Sequence, residues 1–258
     1  MHIRQMLRRI LARILTLAGA PLTGTSVLMY HSIANGESDF ITDTPADFER
    51  HMHFIKQRGL RTVFASEIPA LIKTGDLANT VCVTLDDGYR NNYANAFPIL
   101  KKYGIKATIF LITDLLGKSF TDSRGTTRAI LTEAEVREMA ASGLVEFMPH
   151  THTHPDMRTL DDAALDAELA SSKETIVRLT GKDPRVFAYP KGKYDSGVVE
   201  ALQKHGFEAA FTVVPGIVRK GSGPFRLPRN PLGDVSDAEL ALKLSDRLDA
   251  YVALKKIV

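Results

Sequence analysis

Short apolar runs rich in β-branched and aromatic residues alternate with amphipathic stretches through most of the chain. Apolar character marks strands at 26–31, 62–65, 81–85, 107–112, 145–149, 186–189, 209–213 and 226–229. Helical spacing marks 45–58, 65–73, 93–103, 132–141, 161–179, 197–204 and 236–248. End signals agree: Thr132 with Glu135 three residues on forms a capping box. Gly143, Gly181 and Gly206 stand at helix ends, where a left-handed residue closes the last turn. Strands separated by helices imply parallel pairing through crossovers. Seven or eight such units without a Pro/Ser-rich linker predict an α/β fold, a closed or nearly closed (β/α) barrel. An open doubly wound sheet is the alternative. The one long irregular stretch, 117–128, is polar and reads equally as a lid over a site or a plain surface loop.

The N-terminal segment breaks this rhythm. Met6, Leu7, Ile10, Leu11, Ile14, Leu15 and Leu17 recur at helical spacing, with Arg4, Arg8, Arg9 and Arg13 largely opposite. Such an amphipathic helix suits an anionic membrane surface or a packed position on the domain. Arg13 leaves an apolar piece shorter than a usual signal-peptide core and far short of a membrane span. Residues 1–25 are therefore expected to form a separate amphipathic segment ahead of one domain over 26–258. The expected location is cytoplasmic or peripheral on the inner membrane through residues 1–20, with export by an atypical signal segment as a further reading.

Composition acts mainly by exclusion. A chain of 258 residues, 44% hydrophobic, can bury a full core. Cys82 is the only cysteine, which excludes a disulfide framework and a Cys-rich zinc site. The net charge of +3 comes from the four N-terminal arginines, and the remainder stands at −1. With no basic run interleaved with aromatics after residue 13, a nucleic-acid partner is not expected. No Gly-x-Gly-x-x-Gly or phosphate loop follows a strand, which argues against nucleotide binding.

Barrel chemistry gathers at the C-terminal ends of strands. There the first strand offers His31, and the third ends in Thr-Leu-Asp-Asp-Gly with Asp86 and Asp87. The fifth leads into His150, His152 and His154, and the sixth into Tyr189, Pro190, Lys191 and Gly192. Taken singly these features have ordinary explanations. Asp-Gly is a common turn pair, a His-rich loop can be merely polar, and a lone His31 can be a satisfied core or surface residue. Taken together at one rim, two aspartates and two or three histidines make a site for a divalent cation. The ion would relieve the Asp-Asp repulsion. The unligated aspartate could then take a proton from metal-bound water.

These residues resemble the polysaccharide deacetylases of carbohydrate esterase family 4. Thr84–Gly88 is similar to the family's Thr-Phe-Asp-Asp-Gly motif, and His150–Pro155 to its His-Ser/Thr-x-x-His-Pro motif. Phe187–Gly192 is similar to a Phe-Ala-Tyr-Pro-x-Gly variant of its third motif. The stretches 27–32 and 131–143 resemble the subgroup acting on exopolysaccharides, and the likeness runs from about 26 to 235. The resemblance implies a distorted (β/α) barrel of about seven parallel strands. It implies Asp87, His150 and His154 as ligands of a divalent metal, zinc first, with cobalt or nickel possible. Asp86 would be the general base, the Lys191 backbone N–H would help hold the oxyanion, and His152 would be a neighbour only. Two departures stand out. Ala188 occupies the place of the arginine that orients the base, and Leu-Pro-Arg-Asn (227–230) stands where a late Leu-x-His motif would supply the general acid. In the related subgroup a first-strand histidine replaces that acid, which makes His31 the candidate.

The expected function is removal of N-acetyl groups from an amino-sugar polymer or oligomer. The alternatives are a deacetylase or deformylase of a lipid- or nucleotide-linked sugar, and a silent carbohydrate-binding relative. The sequence does not indicate an oligomeric state.

Overall fold

The computed structural model describes residues 21–36, 41–122, 124–233 and 235–255. The N-terminal amphipathic helix therefore lies outside the described residues. The strands are β1 (Thr25–Tyr30), β2 (Ser32–Ile33), β3 (Thr42–Asp43), β4 (Arg61–Thr62), β5 (Thr80–Leu85), β6 (Ala107–Leu111), β7 (Ser119–Thr121), β8 (Thr127–Ala129), β9 (Val145–Pro149), β10 (Val186–Ala188), β11 (Ala209–Phe211), β12 (Ile217–Val218) and β13 (Asn230–Pro231). The helices are α1 (Pro45–Gln57), α2 (Ile68–Thr74), α3 (Phe97–Tyr103), α4 (Glu133–Ala141), α5 (Asp162–Thr180), α6 (Ser196–Lys204), α7 (Asp237–Lys243) and α8 (Leu248–Lys255).

Parallel ladders join β1 to β5, β5 to β6 and β6 to β9. A second parallel pair, β10 with β11, continues the ring. Phe211 bridges Leu227, and β13 returns to pair parallel with β1. Seven staves thus close a barrel, the last being the short 227–231 segment. Its distortion is the β9–β10 seam, where no ladder is seen among the described residues. There the His150 ring reaches across instead, its Nδ1 2.7 Å from the Ala188 carbonyl oxygen.

Side chains alternate across each stave. Val27, Cys82, Phe110, Met148, Ala188 and Phe211 fill the barrel interior. Leu28, Val81, Val83, Ile109 and Phe147 face the surrounding helices. A buried Glu146 lies deeper in the same interior register, taking bonds from Ser66 and Thr108. Burial raises its carboxyl pKa despite those donors. The interior register of β5 runs 82, 84, 86 and that of β9 runs 146, 148, 150. Asp86 and His150 are therefore the next inward positions beyond the strand ends.

Several predicted elements are shorter or broken, each for a local reason. The 62–65 strand stops after Thr62, because Phe64 N–H bonds Glu67 and turns the chain into a 3₁₀ turn. The 65–73 helix is that turn followed by α2. The 93–103 helix opens as a π-turn at Asn92–Ala96 and hands over to α3, with Pro98 in the first turn where its missing N–H costs nothing. The 236–248 helix ends at Lys243. The Ser245 hydroxyl and N–H both turn back to the Leu242 carbonyl, and α8 starts afresh. The 226–229 strand reduces to a bridge at Leu227 before β13, since Pro228 cannot donate to a ladder. The 117–128 stretch is neither irregular nor remote: β7 and β8 form an antiparallel hairpin.

Candidate metal centre and active site

The dyad's geometry follows from one backbone feature. Asp86 continues the inward register of β5, so an extended Asp87 would face the opposite side. Instead Asp87 adopts φ 68°, which swings its carboxylate back to the rim. Left-handed φ is costly for a residue with Cβ and is usually held in place by its surroundings. Here Gly88 follows at φ 76°, and a Cβ on it would lie 2.4 Å from Leu111 Cδ2. The Gly88 carbonyl is then fixed by Leu131 N–H at 2.9 Å. Thr151 (φ 70°), His154 (φ 67°) and Lys191 (φ 56°) share this conformation. Among the described residues, four of the five non-glycine residues with positive φ thus cluster at one rim.

The structure brings together the residues read from sequence. Asp87 Oδ1 lies 3.7 Å from both His150 Nε2 and His154 Nε2. One ligand atom from each of the three lies within 4.8 Å of the others. That spacing is too long for hydrogen bonds and suits donors sharing one first-row ion. The bond from His150 Nδ1 to the Ala188 carbonyl fixes the tautomer that presents Nε2 to the site, the usual arrangement of a ligating histidine. Burial pushes both histidines down to about 4, leaving neutral rings with a free lone pair at neutral pH. The chemistry of the donor set therefore fits a divalent cation. His152 turns away, with Nδ1 2.9 Å from Thr113 Oγ1, as expected of a neighbour.

Asp86 has a partner that sequence reasoning missed. Arg229, fully buried, forks onto it with Nη1 2.6 Å from Oδ1 and Nη2 2.7 Å from Oδ2. The same guanidinium donates through Nε to the Thr212 carbonyl at 2.9 Å and packs over Phe110. The Asp-Asp repulsion is thus relieved on one side by an arginine, in addition to the relief an ion would give on the other. Burial alone would raise the Asp86 carboxyl, but the Arg229 charge, helped by His150 and His31, outweighs it and holds it well below the ordinary value. Ala188 on β10 stands where the resemblance leads one to expect an arginine, and here the guanidinium comes from the seventh stave. His31 completes the row, its Nε2 3.9 Å from Asp86 Oδ2.

A cavity of about 690 Å³ opens over these groups, lined by His31, Asp86, Asp87, His150, His154 and Lys191. Its walls include Met29, Ile41, Val213 and Pro231, and the β7–β8 hairpin contributes Phe120 and Asp122. The Phe120 ring packs edge-on against His154 with centroids 5.3 Å apart. The 117–128 stretch, read as a lid or a plain surface loop, belongs to a hairpin that lines the cavity.

Glu168 on α5 was also not anticipated. It accepts from His152 N–H and Thr153 N–H at 2.7 and 2.9 Å and from the Thr153 hydroxyl at 2.6 Å. It thereby ties down the loop that carries His154. Glu168→Ala should weaken divalent-metal affinity about tenfold, within the range for residues that support ligands, with little change in far-ultraviolet circular dichroism. Competition against a metal indicator measures it.

Fold and site together define a (β/α) barrel whose rim carries an Asp-His-His cluster able to hold a cation. The chain belongs to the polysaccharide deacetylase family, whose profile matches residues 74–210. It is 33% identical over 205 residues to YxkH of Bacillus subtilis, whose provisional name is polysaccharide deacetylase, covering 79% of this chain and 69% of the relative. It is 27% identical over 195 residues to the poly-β-1,6-N-acetyl-D-glucosamine N-deacetylase of Staphylococcus epidermidis, covering 72% of this chain and 66% of the relative. The chain thus spans about two thirds of the length of these relatives. Among solved structures it is similar to the Streptococcus pyogenes deacetylase PplD in complex with acetate, with a TM-score of 0.74 and 25% identity over 87% of this chain and 97% of that one. IcaB from Ammonifex degensii gives a TM-score of 0.73 with 26% identity over 86% of this chain and 97% of that one. Among the described residues, no helix is long and apolar enough to cross a membrane.

Proposed function

We propose that this chain removes N-acetyl groups from an amino-sugar polymer of the exopolysaccharide type, with Asp86 as general base. The observation that carries the reading is the Asp87–His150–His154 cluster set directly beside an aspartate that Arg229 keeps charged. The poly-N-acetylglucosamine deacetylases among the relatives support the polymer class.

Asp87, His150 and His154 would hold a divalent cation, zinc first by its nitrogen and oxygen donor set. When bound, such an ion supplies Lewis acidity and makes a water more acidic. The rest is done by the chain. Asp86 accepts a proton as water adds to the acetamide carbonyl. The Lys191 backbone N–H meets the developing oxyanion from a left-handed turn at the cavity wall. His31, on the other side of Asp86, gives a proton to the departing amine. The C–N bond breaks, acetate leaves, and the sugar keeps a free amine. The apolar wall of Met29, Ile41, Val213 and Pro231 limits water around the acyl group.

A silent carbohydrate-binding relative is less well supported. Ala188 and the missing late histidine are what favour it. Arg229 supplies what Ala188 lacks, and His31 stands within reach of the base. The test is acetate release from β-1,6-linked N-acetylglucosamine oligomers of two to six units. Release that rises with chain length supports the polymer reading. Release only from a lipid- or nucleotide-linked acetamido sugar would replace it.

A further inference from the structure

The mechanism leaves one element without a task, the polar turn that follows the dyad, Arg90-Asn91-Asn92-Tyr93-Ala94-Asn95. It bends through a π-turn at Asn92–Ala96, a geometry often found near functional sites. Its asparagines do not cap a helix. Asn91 Oδ1 accepts from the Ile33 N–H at 3.1 Å, and Asn91 Nδ2 donates to the Ser32 hydroxyl at 2.8 Å. Asn95 Nδ2 donates to the Ile33 carbonyl at 2.7 Å. Ser32 and Ile33 form β2, which pairs on its other edge with β3. There the Ser32 N–H bonds the Ile41 carbonyl and the Ala34 N–H bonds that of Asp43. Ile33 itself is fully buried, and its N–H and carbonyl face away from β3. The two asparagine side chains take the place of a neighbouring strand.

The residue immediately before this clamp is His31. Just upstream, the Tyr30 carbonyl accepts from the Asp86 N–H at 3.0 Å. The backbone on both sides of His31 is therefore held by one continuous stretch, 86–95, which also carries the base. We infer that Asn91 and Asn95 are positioning residues for His31. They fix the proposed proton donor relative to Asp86 through the Ser32–Ile33 backbone, without touching substrate. The inference rests on the reading of His31 as general acid.

The chemistry supplies a discriminating readout. An amide's leaving amine must be protonated as the C–N bond breaks, whereas an aryl ester's phenolate leaves without help. Loss of a general acid should therefore depress amide hydrolysis far more than ester hydrolysis. The experiment compares His31→Ala, Asn91→Ala, Asn91→Asp and Asn95→Ala in the full-length, metal-loaded protein. Substrates are an N-acetylglucosamine oligomer and 4-nitrophenyl acetate, with melting temperature recorded for each variant. His31→Ala should lose about 10²-fold in kcat on the amide, in the range for a general acid, and stay within about threefold on the ester. Asn91→Ala and Asn95→Ala should show the same selective loss, about tenfold on the amide, at nearly unchanged KM. Asn91→Asp, which keeps the acceptor for the Ile33 N–H, should recover most of it. Equal losses on both substrates in the asparagine variants, or no loss, would overturn the clamp while leaving His31 in place. An unchanged amide-to-ester ratio in His31→Ala would remove the general acid itself, and the clamp's role with it. Should Asn91→Ala fail to fold, Asn91→Asp and Asn95→Ala decide between these outcomes.

Discussion

Asp86→Asn should bind one equivalent of metal as the wild type does and lose about 10²–10⁴ in kcat, the range for removing a general base. Metal retention is expected because the three ligand atoms belong to Asp87, His150 and His154, and Asp86 is not among them. Asparagine keeps the shape and can still accept one bond from the Arg229 fork, so the site should not collapse. What disappears is the negative charge that takes the proton. Metal analysis together with kcat on an N-acetylglucosamine oligomer measures both halves. Turnover within threefold of wild type would take the role of base away from Asp86.

Replacement of Arg229 should have the largest effect on stability. The pair with Asp86 is buried in the barrel mouth, with both Nη atoms of the guanidinium on the carboxylate. Removing one partner of a buried ion pair strands the other, at a cost of about 3–5 kcal/mol. Arg229→Met should therefore unfold at markedly lower denaturant concentration and be inactive. Arg229→Lys separates stability from chemistry. It keeps a positive charge but loses the two-pronged contact, and an ammonium cannot reproduce the fork. Arg229 lowers the Asp86 carboxyl, so weakening that contact lets burial raise it. A higher carboxyl pKa needs a higher pH to ionise, so the acid limb of the kcat profile should move to higher pH. Stability follows the same linkage. A depressed carboxyl contributes stability present above the unfolded value of about 3.9 and lost as pH falls toward the folded value. That contribution should shrink in Arg229→Lys. An acid limb at the wild-type position would contradict the assignment of Asp86 as the titrating base.

Much of the site could be read along the chain because its parts are local. Thr84–Gly88 and His150–Pro155 each pack a strand end, a sharp turn and the donor residues into five or six positions. The alternation of strands and helices gave the barrel for the same reason. Arg229 was different. Its contact with Asp86 spans 143 residues, and 226–229 looked like a plain stave. One signal was available, since an arginine at the end of a buried run is almost never left unpaired. With Ala188 empty of charge, Asp86 was the carboxylate in need of a partner. The hairpin over 119–129 was hidden because its turn looked merely polar. Asp122 accepts from Arg124 and Thr126 N–H groups in a tight turn closed by Gly125, a pattern that alternating apolar residues did not flag. Glu168 lies mid-helix, and only the packing of α5 against the His150–His154 loop gives it a task. The helix break near Ser245 likewise involves a side-chain bond that periodicity does not see.

Amide hydrolysis should depend on a metal held by Asp87, His150 and His154. Purified protein should be stripped with a chelator, then titrated with zinc while bound metal and acetate release from an N-acetylglucosamine oligomer are followed together. Stripped protein should release no acetate and recover with a break at one equivalent, and His150→Ala should show neither binding nor recovery. Acetate release that persists after complete metal removal would contradict it.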